Sequence, residues 1–335
     1  MSLVINWTWT WSTTVTVEPS YRQSAILNLC FVSPGLVATF LMLLVSLSSS
    51  HVKGRNKYPV IGTTLCNFIA AASTFLMSAV FLLCNDLKVE INFVLCSVIR
   101  RLAQNSQSVP FLCYVVIAVD RLFVVCLNRP LALRHVLLLY FTALAIAATP
   151  LCVQLFYGNI FYEDICGYSL QGPRGTTNVL LSMWAATAFT ALFINIAIIL
   201  FIVIHKHKIK KANGREMTSS EVRNERMMMY GFTLQSFFPV CSLVPNNTVY
   251  FLFVNGLGSA IPSWVWIAIN ALTYLNHFIN PILTAIFIKQ FRTATLLFFR
   301  IRSPEFYQRT TNVTTLTAQR SSRSTGSRSV AWNKR

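Results

Sequence analysis

Charge is what this chain of 335 residues has least of: Asp, Glu, Lys and Arg together make up 11% of it, against about a quarter in a soluble domain. With 54% hydrophobic residues, that scarcity excludes an ordinary water-soluble globule and makes lipid the solvent for most of the chain. Acidic residues are rarer still, 10 against 28 Lys and Arg, which leaves a net charge of +18. A phosphate-binding face would need those cations on a soluble folded surface. Here they lie between apolar runs, so membrane topology accounts for them and nucleic acid is not an expected partner. The first 20 residues, with Trp7, Trp9 and Trp11, lack a charged leader and a continuous apolar core. A cleaved signal peptide is therefore not expected, and the first span must serve as its own insertion signal. No internal repeat is visible, which weighs against a transporter built from duplicated halves.

What the chain has instead is apolar runs, each long enough to cross about 30 Å of hydrocarbon. Seven are predicted, at about 24–48, 58–84, 92–126, 134–157, 177–204, 227–254 and 262–288. Each must be helical, because a lone strand cannot satisfy its backbone in lipid. Pro34, Pro110, Pro150, Pro239, Pro245 and Pro281 fall inside these runs, where helix packing tolerates kinks. The expected fold is thus an all-α bundle of seven transmembrane helices. An N-terminal segment over 1–23 precedes the domain at 24–289, and an amphipathic helix and disordered tail occupy 290–335.

The cations set an expected orientation. On one side the loops 49–57, 126–134 and 205–226 and the tail from Lys289 hold 22 of them, whereas Arg22, Lys88 and Arg174 stand alone on the other. The positive-inside rule places the tail in the cytoplasm and the N-terminus outside, in agreement with a glycosylation sequon at Asn6-Trp7-Thr8. The sequons at Asn246 and Asn312 are discarded, one lying in a span and the other in the cytoplasm. The tail beyond about 302, rich in Ser, Thr and Arg, is expected to be disordered.

This topology puts Cys84, Cys96 and Cys166 at the outer face, where disulfides persist. A Cys96–Cys166 bridge would clamp the loop after the fourth span over the mouth of the bundle, and Cys84–Cys96 is the rival pairing. Cys30, Cys66, Cys113, Cys152 and Cys241 read as small apolar residues. At the inner end of the third span, Asp120-Arg121-Leu122 places an ionisable pair where charge is costly and is by default functional. The alternative is an arginine that snorkels to head groups.

At this point the sequence resembles the rhodopsin-like G-protein-coupled receptors. That family carries Asp/Glu-Arg-Tyr here, with a disulfide cysteine 25 residues before the arginine, the place held by Cys96. Asn280-Pro281-Ile282-Leu283-Thr284, followed by Phe291 and Arg292, resembles the family's Asn-Pro-x-x-Tyr and its amphipathic helix, with Thr284 in place of tyrosine. The stretch from Gln235 through Pro239 to Pro245 is similar to the nematode serpentine chemoreceptors. Aligned on Pro245, the family's acidic latch falls on Glu225, a partner for Arg121 in the resting state; alignment on Pro239 removes that assignment. There are departures too. Leu243 stands where the family has a tryptophan, no acid occurs in 58–84, and the first helix lacks a clear Gly-Asn, so a sodium pocket is not expected.

The resemblance implies an extracellular small-molecule or peptide ligand, a heterotrimeric G protein and plasma-membrane lipid as partners, with Asp120, Arg121, Glu225, Asn280, Pro281 and Thr284 in coupling and activation. Helical spacing from Cys96 puts Arg100, Ala103, Gln104, Gln107 and Ser108 on or near one face of the third helix, as candidate ligand contacts. Ala103 occupies the place where amine receptors carry a carboxylate, so an amine ligand is disfavoured. Arg100 or Arg101 can hold an acidic group, and Gln104 and Gln107 a polar one. No lysine lies in 262–288, which excludes a retinal Schiff base. His277 is the one histidine well inside a span and has no acidic neighbour in sequence, so it reads as a helix-to-helix hydrogen bond. No enzyme, metal or cofactor is expected. A chemosensory cue is the expected ligand, a neuropeptide-type receptor of the same fold is an alternative, and a seven-span channel or transporter is the rival class.

Overall fold

In the computed structural model, residues 12–49, 52, 57–127, 129, 131–156, 159–163, 165–171, 173–212, 219–257 and 261–301 are described. Asn6 and the tail beyond 301 lie outside them. Nine α-helices run in chain order among these residues, α1 Tyr21–Ser48, α2 Lys57–Leu87, α3 Phe93–Ser106, α4 Val109–Val125, α5 Leu133–Phe156, α6 Arg174–Ala212, α7 Ser219–Leu252, α8 Ser263–Phe287 and α9 Lys289–Phe298. Six stretches are long and apolar enough to cross a membrane. The seventh is α8, which qualifies together with α9 across a 101° bend. At that bend α9 turns off the axis of α8. The chain is a multi-pass helix bundle, as the hydropathy predicts. Its outward side chains agree: Leu138, Phe141, Phe193, Leu200 and Val203 are all more than half exposed, a coat that water would not tolerate on a monomer.

Hydroxyls inside the spans are satisfied locally. Ser33, Thr39, Ser46, Thr64, Thr142 and Thr190 each donate to the carbonyl four residues back, at 2.6–2.9 Å, which removes an unmet polar group from hydrocarbon. Small residues let helices approach. A Cβ added at Gly35 in α1 would sit 2.9 Å from His277 Cβ in α8, so that glycine sets how closely the first and seventh spans pack.

The third span is two helices. Asn92 caps α3 by accepting from the amides of Val94 and Leu95, and α3 stops at Ser106 in a turn over Gln107 and Ser108. The cause is Pro110 at the start of α4, which has no amide hydrogen to continue the ladder and disfavours helical geometry in the residue before it. The predicted unbroken spacing from Cys96 to Ser108 therefore fails at its last two members.

Above the bundle, β1 Thr14–Val15 pairs antiparallel with β2 Ile91–Asn92, and β3 Asn159–Glu163 with β4 Gly167–Gln171. The Cys96–Cys166 disulfide ties α3 to the turn of the second hairpin. Cys84 is free, so the rival bridge does not form. Cys30, Cys152 and Cys241 are free but exposed, contrary to the buried filler role expected of them. Glu18 N–H donates to Ile165 O at 2.7 Å, and Asn85 Nδ2 donates to Val17 O and Glu18 O. Val17, Tyr21, Phe81, Ile91 and Ile165 complete a buried outer cluster around the disulfide. A separate cluster near the other end joins Met42, Ile117, Ile198, Met229, Phe232 and Phe291, and Phe291 and Ala294 are the buried face of α9.

Candidate functional site

Polar side chains spaced by helical turns line up through the bundle. Tyr114 and Arg121 lie seven residues apart on α4, with Gln107 seven before them in the turn, and Asn276, Asn280 and Thr284 recur every four along α8, so each helix carries its polar set on one face. In lipid such groups must find each other, and they do.

At the end of the bundle that carries the disulfide, Arg101 is fully buried. Its Nη1 donates to Gln104 Oε1 at 2.6 Å and to the Tyr250 hydroxyl at 3.3 Å, joining the third span to the sixth. Asn105 Nδ2 donates to Arg101 O. Ser97, Arg101 and Asn105, four apart, are the buried stripe of α3. The bundle-facing side is thus phased one residue on from the predicted one: Arg101, not Arg100, is the fully buried cation, and Arg100 is half-buried. Ala103 is buried in the outer cluster, Gln104 is half-buried, and Ser108 is buried at the turn.

The turn aims Gln107 into the middle of the bundle. Its Nε2 donates to Ala70 O at 3.0 Å and to the Thr74 hydroxyl, while its Oε1 meets His277 Nε2 at 2.6 Å. His277 Nδ1 meets Asn67 Oδ1 at 3.0 Å, which bears out its reading as a helix-to-helix hydrogen bond. Asn67 Nδ2 donates to Thr63 O and to the Tyr114 hydroxyl. That hydroxyl also accepts from Asn280 Nδ2, and Asn280 donates in turn to Asn276 Oδ1 at 3.0 Å. Gln235 Nε2 closes the chain, donating to Asn280 O at 3.1 Å and to Thr284 Oγ1 at 2.8 Å. Thr284, standing where the rhodopsin-like pattern has tyrosine, is therefore a junction between the sixth and seventh spans. The network joins spans two, three, six and seven around the Asn280-Pro281 kink, beside a small cleft lined by Asn67, Tyr114, Gln235, Asn280 and Phe232 among others.

Below the cleft lie Asp120 and Arg121, both fully buried. Arg121 Nη2 is 3.2 Å from Asp120 Oδ2, and its guanidinium lies 5.4 Å from the centre of the Phe232 ring in α7. A cation over an aromatic face is an attraction of about 0.5–2 kcal/mol, so the sixth span covers the arginine. Glu225 lies on α7, and its side chain falls outside the described residues.

Residues that sequence reasoning missed are Asn67, Tyr114 and Tyr250. Tyr114 carried a signal, its seven-residue spacing from Gln107 and Arg121. Asn67 is the one Asn or Gln in α2 before Asn85 at its end. Among the described residues no group of three or more His, Cys, Asp or Glu could hold a metal ion.

Residues 163–296 match the family model described as serpentine type 7TM GPCR chemoreceptor Srd. The chain is similar in structure to squid rhodopsin, with a TM-score of 0.63 at 14% identity, over 89% of this chain and 90% of that one. At that identity the likeness speaks for the fold. No curated protein matches the sequence.

Proposed function

We propose that this chain, a member of the Srd family of serpentine 7TM GPCR chemoreceptors, carries the binding of an extracellular small molecule to a heterotrimeric G protein. It is a receptor of that class and not an enzyme. The receptor lies in the plasma membrane with its N-terminus and the Asn6 sequon outside and its basic tail inside, as the distribution of cations favours. The observation that carries the coupling is the burial of Arg121 under Phe232. A sixth span that moves outward uncovers the arginine with its Asp120 partner, and the basic 205–226 loop then faces the G protein. Glu225 pairs with Arg121 in the resting state.

The ligand sits between the outer halves of the helices, on the side of the third span that carries Arg100, Ala103, Gln104, Gln107 and Ser108. Gln107 is the link inward, because its amide meets His277 and, through Asn67, the Asn280-Pro281-Thr284 junction. A ligand that binds better to the arrangement with the sixth span displaced shifts the population by its differential affinity.

The test is G-protein nucleotide exchange in a heterologous cell that displays the receptor, screened against small acidic and neutral odorants. A ligand-dependent rise in exchange is the expected result. A ligand-gated current without nucleotide exchange in the same cells would replace this reading with that of a channel.

A further inference from the structure

The sequence holds no Asp, Glu, Lys or Arg from Gln23 to Ser48, from Tyr58 to Asn85 or from Ser263 to Phe287. His277 is the one imidazole in these three stretches, and it is fully buried where α8 meets α1 and α2. Both of its ring nitrogens meet oxygens: Nδ1 is 3.0 Å from Asn67 Oδ1, and Nε2 is 2.6 Å from Gln107 Oε1.

Neither amide can invert to present nitrogen instead. Asn67 Nδ2 donates to Thr63 O and the Tyr114 hydroxyl, and Gln107 Nε2 to Ala70 O and the Thr74 hydroxyl. Inversion would set an amide oxygen against a backbone carbonyl in each case. A neutral imidazole has one N–H to donate and one bare lone pair, so it satisfies one of the two oxygens and repels the other. An imidazolium donates from both nitrogens and satisfies both.

We propose that His277 is a proton-binding site, and that its filling clasps the third span to the second and seventh through Gln107 and Asn67. Gln107 can turn toward or away from the ring because it lies in the break between α3 and α4. Among the described residues the groups that meet the ring are uncharged. α1 presents Gly35, α2 Asn67 and the third span Gln107, with the Tyr114 hydroxyl one step beyond Asn67. Of the other titratable groups nearby, the Cys66 and Cys113 thiols bond to each other, and Tyr274 lies three residues earlier on α8. The charged side chains of the third span are Arg100 and Arg101 outward of Gln107, and Asp120 with Arg121 inward beyond Tyr114. With no carboxylate beside it, the proton rests on two amide oxygens alone, in a place where burial works against charge. Such a site fills on acidification and empties again. Proton binding does not rest on the receptor reading. Its signalling consequence does: a Gln107 clasped to His277 is withdrawn from the ligand face, so acid holds the unliganded arrangement.

Magnetic resonance on the purified full chain in lipid nanodiscs tests the site, with heavy nitrogen in histidine and heavy carbon in the asparagine carbonyl. His277 is the one histidine of the chain preceded by asparagine, so the labelled pair identifies its ring signals without a variant. As the buffer is taken from mildly alkaline to acidic, the ring is expected to pass from one protonated nitrogen to two. Gln107→Met keeps the length and removes the Oε1 acceptor. It is expected to require about tenfold more acid for the same protonated fraction, the loss of one hydrogen bond to a charged group. A ring that keeps a single protonated nitrogen over the whole range in which the chain stays folded would overturn the proposal. So would a titration that Gln107→Met leaves unmoved, since the two-oxygen bridge would then not be what holds the proton. The measurement needs neither ligand nor G protein, so the expected titration in a chain that never drives nucleotide exchange would sink the receptor reading and leave the proton site standing.

Discussion

Two fully buried arginines, Arg101 and Arg121, stand twenty residues apart on the third span, about 30 Å of helix, and the protein holds them in opposite ways. Arg101 donates to an amide and a hydroxyl, and the hydroxyl belongs to the sixth span. Directed hydrogen bonds of this kind fix geometry and hold the outer ends of the third and sixth spans together. Arg121 has the Asp120 carboxylate on its own helix and, from the sixth span, the face of Phe232. A ring face attracts a cation without dictating register. Among the described contacts the sixth span offers Arg101 a hydroxyl and Arg121 a ring face.

The largest effect is expected at Arg121. Arg121→Ala should all but abolish G-protein activation at normal surface density, and full activation by that variant would remove the arginine from the mechanism. Next comes the disulfide. Cys96→Ser and Cys166→Ser should each cut delivery to the cell surface, in keeping with the loss of about 2–5 kcal/mol that follows removal of a native disulfide. The double variant should be no worse than either single one, whereas additive damage would assign the cysteines separate roles. Gly35→Val forces a side chain against His277 and should destabilise the purified protein by about 1–3 kcal/mol, read as a lower melting temperature. An unchanged Tm would mean that the first span is free to shift. The smallest effect is expected of Tyr114→Phe, which removes the hydroxyl shared by Asn67 and Asn280. A loss of about 1–2 kcal/mol should accompany altered basal signalling, because the network links the middle of the bundle to the junction beside Arg121.

The sequence made the spans legible, since about twenty apolar residues in lipid have few alternatives to a helix. It also narrowed the disulfide to two pairings, and the hairpin settles between them by bringing Cys166 to Cys96. It did not disclose the phase of the third span. A proline inside a span is compatible with a kink or a stop, and only packing decides; here α3 stops, Gln107 turns inward and Arg101 takes the place expected of Arg100. The network around His277 was half visible. The regular spacing of Gln107, Tyr114 and Arg121 lay in the sequence, but a spacing names a face and not the partners that meet it, and Asn67 is 210 residues from His277.

The most direct test of the proposed coupling is a distance. Probes at Leu127 and Tyr230, both exposed near the inner ends of the third and sixth spans, are placed in a variant whose other exposed cysteines are replaced. They are read by double electron–electron resonance with and without nucleotide-free G protein. The separation is expected to lengthen when the G protein is bound, as the sixth span leaves Arg121. An unchanged distance, with the G protein demonstrably bound, would contradict it.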